Sequence, residues 1–422
     1  MLLRHVFALI ALPTVWAAGP CLIADLGERA SAARNLGDFR VAANIYRELA
    51  GRCPRMLEFR VNAGLMLHLA GDYEAALPEF RQAANANKKL FAANLFAGLD
   101  SLKLRKYSDA TSYLLSAYSL NNSDITVNIA LGQAYADLGQ YAKANEAYQR
   151  ATAIDIRNAD AWYGLAVTYL AVQRQAIEAI AELTDAAKHL DRIAHVDFEN
   201  IPGERKEFDN ILRAADAGYS NVESLCNLAI LAGTLARRAI TRVISLDPSS
   251  ARVHVLLGNA HSEVHDVAKA KEEFDEALRI QPESFPAHLA LATMYAREGE
   301  HDLALEELRT VLKARPQDPE AGYLQARMLM NDQKYEEALP FLEYALAGTP
   351  ANVPHVHALR GKAYAAVGKT NEAIAEYKQA LAADRKGMYH YQLYRVYLRS
   401  GDRERAEAML KEVKARMGRQ AR

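Results

Sequence analysis

The amino-acid sequence predicts an all-α protein, a solenoid of stacked antiparallel helix pairs, and three observations predict it. Ala42, Ala76, Ala110 and Ala144 fall 34 residues apart, and Ala236, Ala270, Ala304 and Ala338 repeat the interval. Pro248, Pro282, Pro316 and Pro350 keep the same period. Within one period, two runs of helically spaced apolar residues flank a turn. A fixed period of this length marks one supersecondary unit copied along the chain, each copy burying its neighbour's apolar face.

The unit is clearest in residues 285–318, where Phe285 is position 1. Leu289, Leu291, Ala292 and Tyr295 form a first helical stripe, Gly299 interrupts it, and Leu303, Ala304, Leu308, Val311 and Leu312 form a second. Both stripes follow the 3.6-residue helical period. Glycine supplies turn geometry that other residues resist, and Pro316 cannot continue a helix interior. Small residues at positions 8 and 20 (Ala292 and Ala304) let the two helices approach closely, while Tyr295 and Leu308 fill the space beside them.

In this frame, repeats occupy 23–56, 57–90, 91–124, 125–158 and 159 to about 194, then 251–284, 285–318, 319–352 and 354–387. A last one starts at Gly387 and ends near Gln420. The fifth repeat needs one inserted residue, which places Ala179, Leu183 and Ala186 on its second helix. The polar stretch 195–208, with Pro202-Gly203, reads as a loop or short irregular helix, and Asn221–Leu246 is helical again. The expected organisation is therefore an N-terminal segment 1–17, an array over 23–194, a divergent insertion with a degenerate repeat over 195–250, and a second array over 251–420. The insertion reads either as a tolerated loop or as a hinge or partner-docking element.

The recurring residues resemble the tetratricopeptide repeat family, whose pattern is W-x2-L-G-x2-Y, then A-x3-F, then P. Residues 125–158 carry Leu131, Gly132, Tyr135, Ala144, Tyr148 and Ala151; residues 251–284 carry Leu257, Gly258, Ala270, Phe274, Ala277 and Pro282. Trp162, Leu165, Ala166 and Tyr169 open the fifth repeat in the same way. The resemblance implies a right-handed superhelical solenoid that binds a protein or peptide on a concave face. Exported relatives often belong to envelope assemblies, which the resemblance extends to this chain as an expectation.

Composition narrows the function classes. The chain has 422 residues and a formal net charge of −1, without the basic excess of a general nucleic-acid binder. No glycine-rich phosphate loop, G-x-S-x-G elbow or paired catalytic carboxylates occur, so neither an enzyme nor a cofactor is expected. His254, His261 and His265 project to one face of an ideal helix and would suit zinc, the alternative being a metal-dependent enzyme. The spacing H-S-E-V-H misplaces the glutamate of a metalloprotease motif. His254, His288 and His357 share position 4, which reads instead as histidine standing in for core aromatics.

The N-terminus, MLLRHVFALIALPTVWAAG, reads as a secretory signal peptide cleaved after Ala17. The expected location is therefore periplasmic or secreted. An uncleaved membrane anchor is the competing reading, and Cys21 raises a lipoprotein reading that the preceding Pro20 spoils. Cys21 and Cys53 flank one antiparallel hairpin, which predicts a disulfide closing the terminal repeat. Cys226 reads as a small buried hydrophobe.

The family frame turns positions 2, 5, 9, 12 and 13 of the first helices into the groove. Repeats two and three then present Val61, Leu65, Leu69, Leu95, Leu99 and Leu102, an aliphatic trough for an apolar segment, with inter-repeat packing as the competing reading. The last repeats present Tyr323, Arg327, Lys362, Tyr391, Arg395 and Arg399, suited to carboxylates. The lysine–asparagine clamp of chaperone-binding members is absent from any single repeat.

Overall fold

The structure, a computed structural model, describes residues 24–181, 188–189, 204–216, 221–263, 265–348, 353–381, 384 and 387–420. Among them are twenty-one α-helices and no strand. Four hairpins come first: α1 (Ala24–Asn35) with α2 (Phe39–Arg52), α3 (Leu57–Leu69) with α4 (Tyr73–Ala86), α5 (Phe91–Lys103) with α6 (Tyr107–Leu120), and α7 (Ile125–Asp137) with α8 (Tyr141–Ile154). α9 (Ala159–Ala181), α10 (Glu204–Asp216) and α11 (Val222–Leu246) follow. Hairpins resume with α12 (Ala251–Glu263) and α13 (Val267–Ile280), α14 (Phe285–Glu298) and α15 (His301–Ala314), and α16 (Pro319–Asn331) and α17 (Tyr335–Ala345). The last two are α18 (Val353–Ala366) with α19 (Thr370–Ala380), and α20 (Met388–Arg399) with α21 (Arg403–Gln420). The chain divides into two compact units, one reaching Gly164 and the other starting at Leu165, with Asp137–Gly139 grouped with the second.

Two repeat positions explain the hairpin. Position 15, between the two helices of each hairpin, is left-handed, with φ from 71° to 84° at Gly37, Gly71, Gly139, Gly299, Gly368 and Gly401. Three repeats hold the same turn without glycine, at Arg105, His265 and Gln333 with φ of 56°, 59° and 62°. Position 20 is the crossing point. Ala42, Ala76, Ala110, Ala144, Ala270, Ala304, Ala338 and Ala373 are all fully buried there. Position 8 faces the ring at position 24. A Cβ on Gly258 would lie 2.4 Å from Phe274, one on Gly64 2.8 Å from Phe80, and one on Gly132 2.7 Å from Tyr148. Where position 24 is the smaller Leu308 or Leu342, position 8 is Ala292 or Ala326. Gly98 opposite Leu114 departs from this pairing.

The central region differs from the sequence expectation. α9 runs unbroken for 23 residues, so Ala179 lies on the repeat's first helix; Leu183 and Ala186 fall outside the described residues. The position equivalent to the turn is Gln173, in a run free of glycine and proline, and nothing there stops the helix. Of the stretch expected as a loop or short irregular helix, the described part is helix from Glu204, and in that helix Phe208 and Leu212 are buried and Phe208 meets Tyr169 edge-on at 5.2 Å. α11 forms as expected. Its N-cap Asn221 and Ser224 complete a capping box, and Gly233 leaves room for the Gln173 amide, which a Cβ would meet at 2.5 Å.

The position-4 residues are polar linkers. Asn94 donates to Lys88 O (3.0 Å), Asn128 to Asn122 O (2.9 Å) and Trp162 Nε1 to Ile156 O (2.9 Å), and His288 Nε2 lies 3.0 Å from Pro282 O, each tying a first helix to the connection before it. The histidines also reach the second helix: His254, His288 and His357 are hydrogen-bonded through Nδ1 with Glu273, Glu307 and Glu376 at 2.8, 2.6 and 2.7 Å. These histidines are hydrogen-bonding posts, a correction to their reading as core aromatics.

The proposed zinc face does not form. α12 ends at Glu263 and His265 stands in the left-handed turn, off the helix. His261 Nδ1 lies 3.8 Å from Asp266. Among the described residues, no cluster of three potential ligands could hold a metal ion. Residues 1–17 and Cys21 lie outside the described residues. Cys53 is buried at the end of α2, its N–H donating to Leu49 O (2.8 Å), and Cys226 is buried in α11.

Candidate functional site

The first helices α16, α18 and α20, from three successive hairpins of the second unit, border a cleft of about 580 Å³. Its charge is one-sided. Arg327, Lys362, Arg395 and Arg399 line it, and no carboxylate does. Among the described residues none of the four is in an ion pair, whereas Arg360, beside them in sequence, is held by Glu343 (2.8 Å) and Glu376 (3.3 Å). Exposure keeps these cations hydrated, so an anion arriving here displaces water and no carboxylate of the described residues.

Aromatic residues form the rest of the wall. Tyr323 and Tyr335 are half-buried, and the Arg327 guanidinium stands 5.6 Å from the Tyr323 ring centroid. His355 Nδ1 and the Tyr389 hydroxyl are hydrogen-bonded at 2.5 Å, linking α18 to α20. Tyr377, from α19, closes the floor. Burial pushes its phenol up to about 12 against the opposing pull of Arg395 and Arg399, so it stays a neutral hydroxyl under the cations.

Of the residues expected in the groove, the structure brings Tyr323, Arg327, Lys362, Arg395 and Arg399 together. Tyr391 stands outside the lining, 45 % exposed and against Tyr394. His355, Tyr389, Gln392 and Tyr335 join the cleft without having been expected. They sit at positions 2, 3, 6 and 17, and only position 2 belongs to the family's groove set.

The aliphatic trough requires correction. Leu65, Leu95 and Leu102 are buried, and Val61, Leu69 and Leu99 pack as half-buried residues against the core around Phe80 and Phe96. Their apolar area already lies against neighbouring helices, which is the inter-repeat packing reading. Beside them in sequence, half-buried His68 Nδ1 is hydrogen-bonded to buried Asp100 at 2.5 Å, and burial pushes the Asp100 carboxyl above the usual carboxylate range.

Four family models match the chain. Those described as "Tetratricopeptide repeat" cover residues 28–89, 262–328 and 354–386, and one described as "TPR repeat" covers 107–173, together more than half of the sequence. The chain belongs to the tetratricopeptide repeat family. It is a protein-interaction scaffold, and proteins of this family are generally non-catalytic. No curated protein matches it. Among solved structures it is similar to PilF of Pseudomonas aeruginosa (15 % identity, half of this chain and 90 % of that one, TM-score 0.39). It is also similar to YrrB, described as a TPR protein with an unusual peptide-binding site (16 %, 58 % and 96 %, 0.36). Yeast Tom70 aligns over 93 % of this chain and 91 % of its own at 15 % identity and TM-score 0.37.

Proposed function

We propose that this tetratricopeptide repeat protein binds an acidic segment of a partner protein in the cleft of α16, α18 and α20. The observation that carries this is four cations that form no ion pair among the described residues, in one tyrosine-walled cleft whose lining has no carboxylate. Guanidinium groups take carboxylates in paired hydrogen bonds, and arginine and tyrosine are the residues that most often anchor protein interfaces. The test is binding of an acidic peptide by wild type and by an Arg327→Glu, Lys362→Glu, Arg395→Glu variant. The variant, still folded by circular dichroism, loses binding, and wild-type affinity falls as salt is raised. Equal binding by both proteins removes the site from this cleft.

The setting we propose is an envelope assembly: the N-terminal sequence supports export, and the family resemblance extends to this chain the envelope assemblies of exported relatives. In this reading residues 1–17 are cleaved and the protein is periplasmic or secreted. The alternative is a membrane-tethered adaptor that keeps its N-terminus. Among the described residues no helix is long and apolar enough to cross a membrane. The mass of the N-terminal peptide from the native host distinguishes the two, since retention of Met1–Ala17 removes cleavage. A Cys21–Cys53 bridge belongs to the same proposal, with one free thiol expected in mature unreduced protein and three disproving the bridge.

A further inference from the structure

The cleft contains a fifth group that can carry positive charge, an inference that rests on the acidic-segment reading. Among the described residues, His68, His254, His288, His357 and His390 each hold a carboxylate at Nδ1, at 2.5 to 2.8 Å. A proton added to any of them meets a negative charge already in place. His355 differs. It is exposed, it lines the cleft, and its Nδ1 bonds a hydroxyl, that of Tyr389, at 2.5 Å. It makes no ion pair among the described residues. A proton on this ring therefore adds a full positive charge to the lining, with no carboxylate there to cancel it.

The place of the ring couples that proton to the ligand. His355 shares the lining with Tyr323 and Arg327 of α16, Tyr335 of α17, Lys362 of its own helix, Tyr377 of α19, and Tyr389, Arg395 and Arg399 of α20. Arginine, lysine and tyrosine ordinarily titrate near pH 10 or above, whereas histidine is the side-chain type whose charge changes near neutrality. A carboxylate bound among these cations attracts a proton to the ring, so ligand and proton favour each other's binding. The bond to Tyr389 survives the change. A neutral imidazole presents one N–H and one bare nitrogen, and an imidazolium presents two N–H groups. Once charged, Nδ1 donates to the Tyr389 oxygen, the phenol hydrogen turns away from the ring, and Nε2 carries the second N–H.

We propose that His355 is a fifth anion-binding group of the cleft, acting in its protonated form, so that the acidic segment and a proton bind together. The sign follows: binding tightens as pH falls. The test uses the full chain and a short glutamate-rich peptide, with glutamine replacing glutamate in a control. Fluorescence anisotropy follows binding at fixed ionic strength from about pH 8 to about pH 6, a range in which glutamates ordinarily stay ionised. Wild-type affinity is expected to rise about fivefold across it, the change one histidine gives when the bound anion favours its charged form about tenfold. Calorimetry near pH 7 in buffers of different ionisation enthalpy is expected to count roughly half a proton taken up per peptide bound. His355→Gln is expected to keep the affinity of the alkaline end and to lose both the rise and the uptake. His355→Lys, whose charge persists across the range, is expected to bind at the alkaline end as tightly as wild type does at the acidic end. Both variants alter an exposed side chain, and circular dichroism at each pH checks their fold. Peptide binding that does not change with pH, or a pH dependence that His355→Gln retains, overturns the role of His355 and leaves the acidic-segment reading standing. No preference for the acidic peptide over its control at any pH overturns both.

Discussion

Residues 57–124 and 319–399 build the same hairpin and use its first helix in opposite ways. In the former, position 9 is Leu65 and Leu99, and these leucines close against neighbouring helices. In the latter it is Arg327, Lys362 and Arg395, whose heads stay in water and leave a cleft open between the helices. The scaffold does not change: the position-20 alanine is fully buried in Ala76, Ala110, Ala338 and Ala373 alike. A position that the family frame turns into the groove is thus only an opportunity. An apolar side chain there finds apolar neighbours on its own chain and is withdrawn from the surface, while a long cation cannot follow.

Truncating each type in turn breaks or upholds that contrast most directly. Leu95→Ala is expected to cost about 2–5 kcal/mol, as buried leucines do, whereas Arg395→Ala stays within about 0.5 kcal/mol and affects only binding. Urea unfolding of both variants decides it, and a Leu95→Ala protein as stable as wild type would restore the leucines to the surface.

The shared scaffold is tested by its small residues. Gly258→Ala is expected to lose about 1–3 kcal/mol by overpacking against the buried Phe274 ring, despite alanine's better helix propensity. Adding Phe274→Leu recreates the pairing of Ala292 with Leu308 and is expected to recover most of the loss. A double variant no more stable than the single one would show that the two positions do not read each other.

Asp100 provides a pH test of the closed region. Its carboxyl is pushed above the ordinary value by burial, with the His68 hydrogen bond opposing, so the folded state holds this proton more tightly than the unfolded chain. The sign follows: the group favours folding at low pH, and that contribution is lost as pH rises through its folded-state pKa. Asp100→Asn is therefore expected to gain melting temperature relative to wild type as pH rises from about 4 to neutrality. A difference independent of pH refutes it.

The smallest expected effect concerns the turn. His265→Gly and Gln333→Gly each relieve a left-handed non-glycine residue, partly offset by glycine's larger unfolded-state entropy, for a net gain of about 0.5 kcal/mol. The reverse change, Gly299→Ala, is expected to lose about 1 kcal/mol. Opposite signs in thermal melts are the outcome required.

The sequence made the repeats legible because their cause is local and recurrent. A left-handed turn favours glycine, and a close crossing demands alanine, so both leave a mark at a fixed interval. Five of the cleft residues were legible for the same reason, being family groove positions occupied by arginine, lysine or tyrosine. Tyr391 was not separable from them, since its departure from the lining depends on how α20 is rotated against α18. His355 and Tyr389 escaped because their bond joins residues 34 positions apart across two helices. The continuous α9 escaped because an expected turn was carried into a stretch that had lost its glycine.

By itself, then, the sequence determined the all-helical repeat architecture, the hairpin turns, the buried alanines and the family, all products of local steric rules repeated many times. Only the tertiary structure decided that Leu65, Leu95 and Leu102 face inward while Arg327, Lys362 and Arg395 share an open cleft. It also ended α12 before His265 and so dissolved the histidine face. The physical reason is that exposure belongs to no residue alone: it is set by which neighbouring helix comes to cover it, and the covering residues lie on other helices, from the same hairpin or the next.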